Sequence, residues 1–191
     1  MHKQLIAPSA ALTAALMLSG ATLAQQPGMT HSETVKKATD MLDEAKKQKG
    51  DGGPPACSLL TAADVQKVTG RAPFDKPTQM PIAGGTTCQI DDSGLIVMSG
   101  SDSWQRYENY LKAFKADKDP RKSVSGIGDR AFVMFPTPRN SYQKENPFAV
   151  LVVQRGPHTL ALSQQADRGK PPESTEPVLM SLMKSVLARL P

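Results

Sequence analysis

The sequence predicts an α+β domain in which an antiparallel or mixed sheet of about five strands is sandwiched between helices and held by one disulfide. Three observations carry this expectation. Short runs with strand chemistry, at 86–91, 95–98, 131–135, 148–154 and 159–163, are interleaved with segments of helical period. The run at 148–154 is apolar on both sides, with Phe148, Val150 and Val152 alternating with Ala149, Leu151 and Val153, which is the pattern of a central strand covered on both faces. The two cysteines, Cys57 and Cys88, both follow an export signal and so meet an oxidising compartment.

The signal occupies residues 1–24. Lys3 gives the positive start, residues 5–23 are apolar or small without a further charge, and Thr22 and Ala24 place small side chains before the cut. The mature chain is expected to begin at Gln25 and to be periplasmic or secreted. The stretch is too short and too rich in Ala, Ser and Thr for a membrane anchor, and it holds no cysteine that could take a lipid, so no stable membrane insertion is expected after cleavage. The whole chain carries a net charge of +5, one unit less once Lys3 is removed. That excess is spread along the chain and lacks the dense basic face of a nucleic-acid binder.

Residues 25–55 read as a polar lead, a helix at 32–48 and a linker, G-D-G-G-P-P, into one domain at 56–191. Thr30 and Glu33 suggest a capping box, and Val35, Ala38, Met41, Leu42 and Ala45 form a thin apolar face. The domain opens on a short helix that Thr61 N-caps, with Asp64 at the reciprocal position and Gly70 as the stop. After a Pro-rich connection, two strands flank a turn at Asp92, Ser93 and Gly94, and Cys88 ties the first strand back to the start of the helix. A helix at 101–117 follows, with Trp104, Tyr107, Leu111 and Phe114 on one stripe and Tyr110 beside it. The strands at 131–135, 148–154 and 159–163 come next, the last two joined by a tight turn through His158. A helix at about 175–190, with Leu179, Leu182, Met183, Val186, Leu187 and Leu190 on one face, closes the core. The cysteines have neither C-x-x-C spacing nor a nearby histidine, so they are read as a structural disulfide and not as a redox couple or metal ligands.

The segment C-S-L-L-T-A-A-D-V at 57–65, the second cysteine at 88 and G-I-G-D-R-A at 126–131 form a recognisable pattern. It resembles that of small exported bacterial proteins of unknown function, many of them actinobacterial lipoproteins, whose fold is PsbP-like. The resemblance covers residue 57 to the C-terminus and implies that fold and an envelope location. It implies no catalytic residues. This chain departs from the lipoprotein members in lacking a lipid-attachment cysteine, so a lipid tail is not carried over.

The chemistry in the chain is sparse. Of the three histidines, His2 leaves with the signal, His31 lies in the lead and His158 in a turn. A Ser/His hydrolase would have to use His158, and no G-x-S-x-G elbow is present. No catalytic residues, no metal and no cofactor are therefore expected. Met29 with His31 and Met180 with Met183 superficially suggest copper handling, but Met183 lies on the core face of the last helix. Gly126, Gly128 and Asp129 precede a strand, whereas a phosphate cradle opens a helix, so they are read as turn residues. The lysines from 112 to 122, with Arg121, are read as a solvated face in preference to a site for an anionic polymer. The aromatic stripe is read as core in preference to a pocket.

The connection P-T-P-R-N-S-Y-Q-K-E-N-P at 136–147 is long and carries Arg139 and Tyr142, residue types enriched in binding hot spots. It is the candidate binding loop, weighed equally against an inert insertion. The expected function is a non-enzymatic binding or accessory module of the cell envelope, with a protein or a small apolar ligand as partner. The rival is a hydrolase running on carboxylates and hydroxyls such as Asp91, Asp92 and Asp129, although adjacent Asp91 and Asp92 read as solvated turn residues with ordinary pKa values.

Overall fold

The computed structural model describes residues 53–191. The signal, the start at Gln25 and the helix expected at 32–48 lie outside the described residues.

In chain order the elements are α1 (Ala56–Leu59), α2 (Ala62–Thr69), β1 (Thr78–Ile82), β2 (Gly85–Ile90), β3 (Ser93–Ser99), α3 (Ser103–Ala113), β4 (Arg121–Val124), β5 (Arg130–Met134), α4 (Ser141–Glu145), β6 (Phe148–Arg155) and β7 (His158–Gln165). A 3₁₀ turn, Pro172–Thr175, leads into α5 (Glu176–Ala188). The strands form one seven-stranded sheet in the order β1-β2-β3-β7-β6-β5-β4, and every pairing is antiparallel.

The expectation of about five strands is corrected to seven, and a mixed sheet is excluded by the pairings among the described strands. The additional strands are the two edges. β1 reads Thr-Gln-Met-Pro-Ile, and a proline is tolerated in an edge strand, where a missing N–H leaves no ladder bond unmade. β4 reads Arg-Lys-Ser-Val, short and charged, which is how edges resist further pairing. Neither has the apolar alternation by which a strand is recognised. With these edges in place β7 takes the middle of the sheet and β6 lies beside it.

Both faces are covered, as the two-sided pattern of β6 requires. On one face Ala131, Val133, Ala149, Leu151, Val153, Leu160 and Leu162 pack with α1, α2 and α5 through residues such as Leu59, Val65, Leu182 and Val186. On the other, Phe132, Val150, Val152, Ala161, Ile96 and Met98 pack with Tyr107 and Leu111 of α3. The alternation along β6 falls on the two faces as expected.

The helix expected at 101–117 is shorter. α3 ends because Lys115 takes φ 55 and the chain turns back, Ala116 N donating to Leu111 O at 2.8 Å and Lys115 N to Lys112 O at 2.9 Å. The β2–β3 turn also differs from expectation. Ile90 pairs with Ser93 and Gln89 with Gly94, so the turn is Asp91–Asp92 and Asp91, not glycine, carries the positive φ of 45. Aspartate tolerates that conformation better than most side chains.

Candidate functional site

The residues at 57–65, 88 and 126–131 are engaged in holding the fold. Cys57 and Cys88 are disulfide-bonded across a sequence separation of 31, with Cys88 buried on β2 and Cys57 in α1. Thr61 closes a reciprocal capping box: Asp64 N donates to Thr61 Oγ1 at 3.2 Å, and Thr61 N donates to Asp64 Oδ2 at 3.0 Å. The same carboxylate receives Arg189, whose Nη1 and Nη2 donate to Oδ2 and Oδ1 at 2.8 Å each, while Nη1 also donates to Leu59 O at 2.9 Å. Burial would push the Asp64 carboxyl up, but the hydrogen bonds from Arg189 and Thr61 outweigh it and hold it below the ordinary carboxylate value. One aspartate thus fixes both ends of the domain.

The G-I-G-D-R-A segment acts in the same way. Gly128 has φ 63, and a Cβ there would lie 2.4 Å from both Gln154 O and Val153 Cγ1, so only glycine permits this approach to β6. Ile127 is buried in the core, and Asp129 Oδ2 accepts from Gly156 N at 2.7 Å, bracing the β6–β7 turn.

His158 stands at the start of β7, opposite Ser99 on β3, and Ser99 Oγ lies 2.8 Å from its Nδ1. The sequence did not single out Ser99. Burial lowers the His158 pKa, Ser99 is 5% exposed, and no carboxylate among the described residues bonds the ring. The Ser99 carbonyl accepts from Arg106, so the pair reads as a cross-strand contact at the rim of the sheet. Among the described residues no group of three or more His, Cys, Asp or Glu side chains is placed to hold a metal.

The aromatic stripe of α3 divides. Tyr107 and Leu111 are buried, whereas Trp104, Tyr110 and Phe114 are half-buried. Burial raises the Tyr107 hydroxyl and pushes Tyr110 up to about 12. Trp104 meets Phe132 edge-on at 5.7 Å and lies under the Arg130 guanidinium at 3.9 Å, while Arg121 covers Phe132 at 4.7 Å. Arginines therefore cover the margin of this core.

The candidate loop is partly regular. Asn140 caps α4 by accepting from Gln143 N at 2.9 Å. Arg139 is turned onto its own chain: Nη2 donates to Lys115 O at 2.8 Å and to Asp119 Oδ2 at 3.1 Å, and the Asp119 side chain is 6% exposed. Tyr142, on α4, is 39% exposed. Arg139 thus positions the loop, and Tyr142 is the residue it presents.

Asp91 departs from the solvated reading, whereas Asp92 is exposed as that reading expects but does not keep an ordinary pKa. The Asp91 carboxylate accepts from Phe74 N at 2.9 Å through Oδ2 and from Asp75 N at 3.2 Å through Oδ1. Asp92 has its pKa raised by burial, reinforced by Asp91 and Asp167 and opposed by Arg71.

Phe74 and Tyr142 are the exposed large hydrophobic residues among those described, Phe74 at 95%. They stand at the same end of the sheet and are linked by backbone and side-chain bonds. Phe74 N reaches Asp91, Gln165 N donates to Asp92 O at 3.0 Å, Gln165 Nε2 donates to Asn146 Oδ1 at 2.9 Å, and Asn146 N donates to Tyr142 O at 2.9 Å. Sequence reasoning passed over Phe74. The signal was a lone aromatic in R-A-P-F-D-K-P, bracketed by prolines and without a periodic partner to bury it.

No protein-family model, curated protein or solved structure matches the chain. Among the described residues no helix is long and apolar enough to cross a membrane.

Proposed function

We propose that the chain is an exported, non-enzymatic binding or accessory module of the cell envelope, PsbP-like in fold, periplasmic or secreted after loss of residues 1–24. Its contact surface is the end of the sheet that carries the 71–77 connection, the β2–β3 turn and the 136–147 loop. The observation that carries this reading is the hydrogen-bonded path from Phe74 to Tyr142, which joins the two exposed large hydrophobic side chains at one end of the sheet. The assignment of Cys57, Asp64, Gly128 and Asp129 to structural work supports it further, since the pattern then has no chemistry to perform.

The test is in-situ crosslinking of the tagged full chain in its exported fraction, followed by retrieval under denaturing conditions. Tyr142→Ala is expected to lose the crosslinked partner while keeping the wild-type melting temperature. Arg139→Ala is expected to lower both, because it frees the loop and leaves Asp119 unpaired. Equal partner recovery from Tyr142→Ala and wild type would count against the loop as the contact surface.

A further inference from the structure

We draw no further inference here: the strongest candidate, the exposed Phe74 side chain on the 71–77 connection beside the β2–β3 turn, belongs to the surface already described, and with Arg71, Lys76 and Lys170 set against Asp75, Asp91, Asp92 and Asp167 nothing in the structure shows what covers it.

Discussion

Removing the Cys57–Cys88 bond should destabilise the domain by an amount that the structure allows to be worked out for each cysteine. The bond spans a sequence separation of 31. In the chain-entropy picture, releasing a loop of that length in the unfolded state costs between about 3 and 4 kcal/mol at 25 °C. That is a large share of a net stability of about 5–15 kcal/mol. The two serine variants should differ beyond this common loss. Cys57 is half-buried and its replacement hydroxyl can be hydrated, so Cys57→Ser should cost about the loop term alone. Cys88 is 1% exposed with its sulfur 3.9 Å from Leu60 O, so a serine there adds about 1–3 kcal/mol for a buried hydroxyl whose partner is poorly placed. The alanine variants lack that hydroxyl and should be closer to each other, and the double alanine variant should be no worse than the worse single one, since one bond is lost in every case. Urea unfolding followed by far-UV circular dichroism gives the comparison, with the midpoint and slope read separately. Single variants within about 1 kcal/mol of wild type, or a double variant showing the sum of the two losses, would refute the reasoning.

Asp64→Ala removes the capping box and strands Arg189, and should cost about 2–4 kcal/mol in the same assay. Because the folded Asp64 carboxyl lies below its unfolded value, its contribution is present above about pH 4 and is lost as pH falls through the folded pKa, so the deficit of Asp64→Ala should shrink in acid. Gly128→Ala should cost about 2–4 kcal/mol, from the left-handed backbone and the contact with Gln154 O, whereas Gly126→Ala, with open space around it, should cost about 1 kcal/mol. Asp92 has the opposite sign to Asp64: a raised folded pKa favours the protonated form in the native state, so stability is lost as pH rises through it. Asp92→Asn should therefore stabilise at neutral pH, with the gain vanishing as pH falls towards the unfolded value near about 4, and unchanged stability across that window would contradict the raised pKa.

Elements with an apolar period were legible in the sequence because burial writes that period directly. The β5, β6 and β7 strands, α2 with its Thr61 cap and Gly70 stop, and the core face of α5 all carry it. The edge strands were not legible for the same reason in reverse. β1 and β4 are selected for poor pairing on their outer side, and Pro81 or Arg121 with Lys122 erases the alternation. The β2–β3 turn was misplaced because Gly94 offered the usual occupant of a positive φ, while the feature that favours Asp91 is a pair of amides 16 and 17 residues away. The candidate site was half legible. Tyr142 was found from loop length and residue type, but the attachment of Arg139 to Asp119, the Ser99–His158 contact and the exposure of Phe74 all depend on partners distant in sequence.

The central claim divides the molecule into polar pattern residues that hold the fold and exposed apolar residues that hold the partner, and one paired measurement addresses both halves. Melting temperature and partner crosslinking per folded molecule are recorded for Asp64→Ala and Gly128→Ala on one side and for Phe74→Ala and Tyr142→Ala on the other. The account requires the first pair to melt lower with crosslinking per folded molecule unchanged, and the second pair to melt like wild type with crosslinking lost. A fully stable Asp64→Ala or Gly128→Ala that loses its partner, or a Phe74→Ala, Tyr142→Ala double variant that keeps it, would contradict the account.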